Sequence, residues 1–294
     1  MLNFKKIETD DIALISSYIT DIGEFSCESA FVNLLVWQCR FNNMAAFCDG
    51  QLIIKSGPDE NPVFRLPFGG DFEKGMSLIR GYCGREYPRF WAQEGKKLAL
   101  FRERYGDKYI FEENRDAFDY IYLQGDLALL SGKKYHSKRN HISAFSKKYE
   151  WHYEPITAAN VEAVRICADR WYSENSYRAD CQLKCERDGV SLMLSNMERL
   201  GVTGGAVFVG GEAVAFTLGS PINSEVFDIH IEKALPEYAE GYTVINREFA
   251  ANALGGYKYI NREDDMGIDG LRKAKLSYKP AMLLEKYSCR PKNE

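Results

Sequence analysis

The chain has 294 residues, of which 45% are hydrophobic and 27% charged, and its formal net charge is −4. This composition is that of an ordinary globular protein, and the slightly acidic balance argues against a DNA-binding domain, which is usually strongly basic. No run of about eighteen apolar residues is present, and the start is charged too early for a signal peptide, so we expect a cytoplasmic protein without a transmembrane segment.

The eight cysteines do not form a metal-binding pattern. Cys181 and Cys185 are the closest pair, with C-x3-C spacing, and neither a second pair nor a histidine lies nearby. A tetrahedral zinc site needs four convergent ligands. We therefore expect no metal site, and reduced thiols as is usual in the cytosol.

The two halves of the chain open in a similar way. Residues 4–19 and 153–168 align without gaps, and each reads as a short strand, a polar turn and an amphipathic helix. The alternative is the general similarity of any strand–helix opening. Taken as a repeat, the pattern predicts two copies of one α/β domain, at 1–148 and 149–294.

In the first copy, residues 45–57 contain an Asp-Gly turn between two apolar runs and predict a hairpin. Further strands are predicted over 63–69, 89–95 and 119–125, and helices over 71–82 and 97–105. No glycine-opened helix follows a strand here. We therefore expect this copy to lack a cofactor site and to serve a structural or substrate-shaping role.

The segment 132–149 carries six Lys or Arg residues and no acidic residue. Ile142, Phe145 and Tyr149 recur at i, i+3 and i+7, which predicts a helix with one apolar stripe. The basic side chains form either a solvated face or an anion-binding wall for a nucleotide phosphate, a lipid headgroup or the acceptor end of a tRNA. The residues predicted for such a wall are Lys134, Lys138 and Arg139.

The last third of the chain carries the strongest pattern. Residues 204–234 predict three antiparallel strands, and after a turn Gly241 opens a helix whose apolar positions are Ile245, Phe249 and Ala253. The first turn of a helix presents free backbone N–H groups and the positive end of the helix dipole. Such a turn suits a phosphate or pyrophosphate.

Here the sequence resembles known families. PEYAEGYTVINREFA (236–250) resembles the pyrophosphate-binding turn and helix of the GNAT (acyl-CoA N-acyltransferase) superfamily, although Tyr242 and Thr243 stand where glycine or small residues are usual. The wider 230–280 stretch, with HIEKA, INREFA and INREDDMGIDGLRKAKLSYKP, resembles the C-terminal catalytic domain of phosphatidylglycerol lysyltransferases. The resemblance implies a bacterial protein of the α/β (α+β) class, with tandem GNAT-like domains built from mixed, mostly antiparallel sheets flanked by helices.

The same resemblance implies coenzyme A or acyl-CoA as cofactor, held between the strand ending in HIEKA and the strand containing YINRE. Glu232, at the end of HIEKA, is the candidate general base or amine-binding group, the alternative being a solvated glutamate at a strand end. The residues predicted to contact the cofactor are Ile231, Lys233, Ala234, Gly241, Tyr242, Thr243 and Val244.

Two further groups follow in the same motif. Asp264 and Asp265 end the next predicted strand, where they either hold a cationic acceptor or cap the helix predicted over 268–278. Arg262 and Arg272 either bind a phosphate, a carboxylate or an RNA end, or form internal salt bridges.

Three functions are compatible with these patterns. The first is an acyltransferase that moves an acyl group from acyl-CoA to a small-molecule or peptide amine. The second is an aminoacyl transferase that uses aminoacyl-tRNA and delivers to a lipid, a peptide or a small amine. The third is a non-catalytic binding protein of the same fold, because Tyr278 is predicted to be a core residue and no other tyrosine is placed to protonate a leaving thiolate.

Overall fold

The computed structural model describes residues 2–19, 23–175 and 181–293, which form two mixed β-sheets flanked by helices. The strands of these residues, in chain order, are β1 (Lys5–Lys6), β2 (Met44–Cys48), β3 (Gln51–Ser56), β4 (Val63–Arg65), β5 (Phe68–Gly69), β6 (Arg89–Gln93), β7 (Tyr109–Glu113), β8 (Asp119–Leu123), β9 (Trp151–Pro155), β10 (Thr203–Val209), β11 (Glu212–Pro221), β12 (Val226–Ala234), β13 (Tyr259–Asn261), β14 (Met282–Leu284) and β15 (Lys286–Pro291).

The helices of the same residues are α1 (Ile12–Ile19), α2 (Phe31–Val36), α3 (Gln38–Phe41), α4 (Phe72–Cys83), α5 (Lys96–Tyr105), α6 (Gln124–Leu129), α7 (His136–Lys148), α8 (Val161–Glu174), α9 (Cys181–Ser195), α10 (Met197–Leu200), α11 (Gly241–Ala253) and α12 (Asp269–Ser277). Local sequence sets several of their ends. Asp71 caps α4 by accepting from the Lys74 amide, and Gly84 ends it with a φ of 64°. In the part of the chain described, none of these helices has the length and apolar character needed to cross a bilayer.

The two sheets repeat one strand order, which confirms the predicted tandem fold. The first runs β1-β2-β3-β4-β6-β15-β7, with β5 against β3, and the second runs β14-β8-β13-β12-β11-β10-β9. Neighbouring strands in each sheet are antiparallel except for one parallel pair. This pair is β4 with β6 in the first sheet and β12 with β13 in the second. The predicted hairpin is β2–β3, and the three strands predicted over 204–234 are β10, β11 and β12.

The halves also exchange strands. β8 comes from the first half but pairs with β13 and β14 in the second sheet, whereas β15 comes from the end of the chain and pairs with β6 and β7 in the first. The division at 148/149 therefore does not coincide with the division between the sheets. The aligned residues Ile15 and Val164 are both fully buried in one hydrophobic cluster that spans both halves.

One prediction about the cysteines is wrong. Cys39 of α3 and Cys185 of α9 form a disulfide that links the two halves across 146 residues. Pairing between cysteines so far apart in sequence requires the tertiary fold, which residue spacing does not reveal. Cys27 and Cys167 are among the free cysteines and are buried, and burial raises the pKa of both thiols.

A buried lysine joins the exchanged strands. The Lys286 ammonium on β15 lies 2.6 Å from Asp119 Oδ1 on β8, 2.9 Å from Glu28 Oε2 and 3.4 Å from Cys27 Sγ. Burial opposes ionisation of Glu28, but Lys286 and then Arg65 lower the pKa of that carboxyl to about 2. This buried ion network therefore connects the first sheet to the second.

We predict that Lys286→Met lowers the free energy of unfolding by about 3–5 kcal/mol, because the variant leaves the fully buried carboxylate of Asp119 without its cation. Urea unfolding followed by circular dichroism measures the change. The control is Lys292→Met at an exposed position, for which we expect a change within about 0.5 kcal/mol. Equal effects of the two variants would contradict the network's structural role.

Candidate functional site

A fork opens between two neighbouring strands of the second sheet. β12 and β13 pair in parallel only from Val226 to Asp228 and from Tyr259 to Asn261, whereas β12 continues to Ala234 beside β11. This is the gap that the sequence predicted as the reaction site. The side chains that we group as the fork residues are Lys138, Glu232, Asn246, Arg262 and Tyr278.

Glu232 and Arg262 meet in the fork, as the clustering of both in one motif suggested. Arg262 Nη2 donates to Glu232 Oε1 at 2.6 Å, and Asn246 Nδ2 donates to Glu232 Oε2 at 3.0 Å. The side chains of Glu232 and Arg262 are 10% and 11% exposed. Both oxygens of Glu232 are thus occupied, and the carboxylate orients the guanidinium beside it.

Two polar atoms of the fork have no partner. Arg262 Nη1 and Asn246 Oδ1 are buried, and neither makes a hydrogen bond with the residues that the structure describes. Buried polar groups are nearly always hydrogen-bonded in folded proteins, and leaving one unpaired is costly. One donor and one acceptor are therefore available in the fork for a ligand.

Lys138 of α7 reaches the same place. Its ammonium lies 3.7 Å from the centre of the Tyr278 ring, and the Arg262 guanidinium carbon lies 4.7 Å from that centre. Burial lowers the pKa of Lys138 to about 8, and the charge of Arg262 adds to this effect while Glu232 opposes it. Tyr278 is 4% exposed, which confirms its predicted core position. Lys138 therefore releases a proton near neutral pH, as a general base requires.

The turn that opens α11 differs from the prediction. The amides of Tyr242, Thr243 and Val244 donate to the carbonyl oxygens of Ala239 and Glu240 at 2.9 to 3.4 Å. Ala239 and Glu240 lie between a short 3-10 turn, Pro236–Tyr238, and the start of the helix. The expectation that these three amides are free is therefore wrong, and they do not fit a role as donors to the pyrophosphate of coenzyme A.

The remaining residues predicted to contact the cofactor are packed against the protein. A Cβ on Gly241 would lie 3.3 Å from the Cβ of Ala234, so the glycine serves close packing of α11 on the sheet. Ile231 is buried in the hydrophobic core. The Lys233 ammonium lies 2.6 Å from Glu186 Oε1.

Asp265 and Arg272 form an ion-pair network away from the fork. Asp265 is fully buried and accepts hydrogen bonds from Tyr120 Oη at 2.5 Å and from Arg272 Nε at 2.9 Å. Burial opposes ionisation, but the hydrogen bonds from Arg272 and Tyr120 hold the pKa of Asp265 well below its usual range. Of the two alternatives given for Arg272, anion binding or an internal salt bridge, the structure shows the salt bridge.

Two of the three predicted anion-binding residues on the basic segment make local contacts. Lys134 Nζ lies 2.8 Å from Asp126 Oδ2, and Arg139 donates to the carbonyl oxygens of Leu130 and Gly132. These contacts hold the start of α7 against the end of α6. Lys138 is the member of this set that reaches the fork.

A cavity of about 510 Å³ lies next to the fork, between the two halves of the chain. Its lining includes the carboxylates of Glu28, Glu263 and Asp264 and the Trp91 ring. Burial raises the pKa of Asp264 to about 6, and its carboxylate forms no ion pair with any residue in the described part of the chain. Glu263 has a φ of 53°, in the left-handed region. Strain of this kind is concentrated at functional sites.

The sequence analysis missed a polar cluster under the fork. His230 Nε2 lies 2.8 Å from Ser220 Oγ, and His230 Nδ1 lies 3.2 Å from Asp228 Oδ2 and 3.3 Å from Glu263 Oε1. Burial opposes protonation, but the two carboxylates raise the pKa of His230 to about 9. A protonated imidazole cannot act as a base for Ser220, so this is not a hydrolase triad.

A sequence signal for the cluster was available. Asp228 and His230 lie two residues apart in an otherwise apolar stretch of strand, which indicates that their side chains share one face. Polar residues on one face of a strand at the centre of a sheet indicate a site rather than core packing.

Comparison with known proteins agrees with this fold. Residues 20–290 match the family model described as phosphatidylglycerol lysyltransferase, C-terminal. The chain belongs to this family. A conserved protein of unknown function from Bacteroides thetaiotaomicron is 36% identical, with a TM-score of 0.90 and coverage of 99% of this chain and 100% of that one.

Two more distant proteins are similar to this chain, one in structure and one in sequence. The structure of L-PGS from Bacillus licheniformis is 16% identical, with a TM-score of 0.66 and coverage of 99% of this chain and 93% of that one. An uncharacterized Mycoplasmoides gallisepticum protein, MYCGA3080, is 22% identical over 197 residues, which are 66% of this chain. The chain spans 61% of the length of that relative.

We predict opposite consequences for two adjacent aspartates. Asp265→Asn should lower the free energy of unfolding by about 3 kcal/mol or more, because it breaks a buried ion pair. Asp264→Asn should leave it unchanged or raise it at pH 7, because the variant removes a charge that burial disfavours. Thermal and urea unfolding measure both, and a larger loss for Asp264→Asn would contradict the assignment.

Proposed function

We propose that the chain is an aminoacyl transferase, which takes an aminoacyl group from the ester of an aminoacyl-tRNA and delivers it to an amine, with the reaction in the fork. The observation that carries the proposal is the unpartnered Arg262 Nη1 beside Lys138, whose pKa is about 8. These two groups supply what acyl transfer needs, a donor for the carbonyl oxygen and a base near neutral pH.

The reaction then follows from the positions of the side chains. Neutral Lys138 takes a proton from the acceptor amine as that amine attacks the ester carbonyl carbon. Arg262 Nη1 donates to the carbonyl oxygen as negative charge develops there, while Glu232 and Asn246 hold the guanidinium in place. The bond from the carbonyl carbon to the ribose oxygen breaks, and Lys138 returns the proton to that oxygen.

An aminoacyl-tRNA donor is favoured over acyl-CoA by two features. The amides at the start of α11 are paired within the protein, so a pyrophosphate finds no donors at these positions. The segment 132–149 has six basic and no acidic residues, and its helix α7 carries Lys138 into the fork. A polyanionic donor lying along α7 would bring its terminal ester to Lys138. The family description, a lysyltransferase, also supports an aminoacyl group as the group transferred.

The cavity is suited to the acceptor. Arg262 belongs to the fork, whereas the next two residues, Glu263 and Asp264, line the cavity, so a single strand end separates the two sites. The carboxylate of Asp264 and the Trp91 ring suit an ammonium group, through charge and through cation–π attraction. An acceptor with one ammonium group held there would reach past this strand end with a second amine, which attacks the donor ester in the fork.

We predict that Lys138→Gln lowers the rate of transfer about 10²- to 10⁴-fold, which is the usual contribution of a general base. Labelled aminoacyl-tRNA is mixed with the protein and an amine panel of spermidine, lysinamide and phosphatidylethanolamine vesicles, and loss of the tRNA ester is followed. The wild-type rate should rise with pH, reach half its maximum at about 8, the pKa of Lys138, and level off above that pH, because only the neutral amine accepts a proton.

The matched control is Lys134→Gln in the turn just before α7, whose side chain pairs with Asp126 outside the fork. It should keep the wild-type rate and pH profile. A Lys138→Gln protein with the wild-type rate and pH dependence would rule out the assigned base.

A further inference from the structure

Beyond the proposed transfer, the geometry points to a binding site for a divalent transition-metal ion, formed by His230 Nδ1 and the carboxylates of Asp228 and Glu263. The three ligand atoms lie within 4.8 Å of one another. Nδ1 is 3.2 Å from the Asp228 oxygen and 3.3 Å from the Glu263 oxygen. At these two separations Nδ1 and either oxygen can lie about 2.0–2.2 Å from one ion, the usual distance for nitrogen and oxygen ligands of zinc.

A single proton does not satisfy this cluster. The Nδ1 hydrogen bond goes to Glu263, and neither oxygen of Asp228 receives a hydrogen bond from a residue that the structure describes. Asp228 is fully buried, and a buried carboxylate without donors is strongly disfavoured. One metal ion, unlike one proton, can bind the imidazole and both carboxylates together.

The surrounding contacts resemble those of a metal site. Ser220 Oγ lies 2.8 Å from His230 Nε2 and can accept its proton, which would leave Nδ1 free for a metal. Asn33 Nδ2 donates to Glu263 Oε1 at 3.0 Å and fixes that carboxylate. Outer contacts of this kind orient metal ligands and select the imidazole tautomer.

A second cluster in the same protein provides an internal comparison. Cys27, Glu28 and Asp119 also bring three possible ligand atoms within 4.8 Å of one another. There the protein supplies its own cation, because the Lys286 ammonium lies 2.6 Å from Asp119 and 2.9 Å from Glu28.

No lysine or arginine forms an ion pair with Asp228 or Glu263 in the described part of the chain, where the partner of both is His230. The Asp228 cluster, which has one imidazole for two carboxylates and no lysine or arginine, is therefore the one of the two that an external cation would complete.

The donor set indicates the class of metal. One imidazole and two carboxylates suit Zn²⁺, Mn²⁺ or Fe²⁺ rather than Mg²⁺ or Ca²⁺, which prefer oxygen ligands alone. Because Glu263 also lines the 510 Å³ cavity, the ion would lie at the cavity wall. A water or a cavity ligand would complete its coordination.

The test uses the full chain after removal of metals with EDTA. Titration with Zn²⁺ in a calorimeter should show one site per chain and a raised melting temperature. Co²⁺ should give visible absorption without a sulfur-to-cobalt charge-transfer band, because the ligands are nitrogen and oxygen. His230→Gln should abolish both signals, whereas His152→Gln, at an exposed histidine, should leave them unchanged.

Three results would overturn the site: no Zn²⁺ binding by the wild-type chain, undiminished binding by His230→Gln, or a charge-transfer band that assigns the metal to a cysteine. Should His230→Gln fail to fold, the isosteric Asp228→Asn takes its place and must lose at least tenfold in Zn²⁺ affinity. Retained affinity in that variant also overturns the site.

Discussion

The whole arrangement depends on one buried ammonium group. Lys286 stands on a strand that the end of the chain contributes to the first sheet, and it binds Asp119 on a strand that the first half contributes to the second sheet. Asp119 also accepts from the Cys27 amide and from Asn261 Nδ2. A buried ion pair of this kind is costly to break, so the two sheets are held in one relative position, and the cavity between them keeps its shape.

The relative position of the two sheets determines where the functional side chains lie. Asn261 ends β13, and its bond to Asp119 fixes the end of that strand between β8 and β12. Arg262 pairs with Glu232 in the fork, whereas Glu263, with its left-handed backbone, and Asp264 line the cavity. In our proposals this one short segment supplies a donor for a reacting carbonyl, a carboxylate for an amine and a ligand for a metal.

Much of the fold could be predicted from local patterns. Alternating apolar residues predicted β10 to β12, the Asp-Gly turn predicted β2–β3, and the shared motif placed Glu232 near Arg262, because each depends on residues close in sequence. The strand exchange could not be predicted, since β8 and β15 carry no mark of their partners. The same holds for the Cys39–Cys185 disulfide, for the paired amides at the start of α11, and for the depressed pKa of Lys138, which arises from burial against Tyr278. Each of these features depends on how the chain folds in three dimensions, which local sequence patterns do not reveal.

The central claim is that the fork receives the acyl carbonyl of an aminoacyl ester. A crystal structure with a 3′-aminoacylamino-adenosine, in which a stable amide replaces the ester, tests it most directly. We expect the carbonyl oxygen to lie within about 3.2 Å of Arg262 Nη1, the range of an N–H···O hydrogen bond. The Lys138 amine should lie beside the carbonyl carbon. An analogue bound at the Gly241 turn, or in the cavity with the fork unchanged, would contradict it.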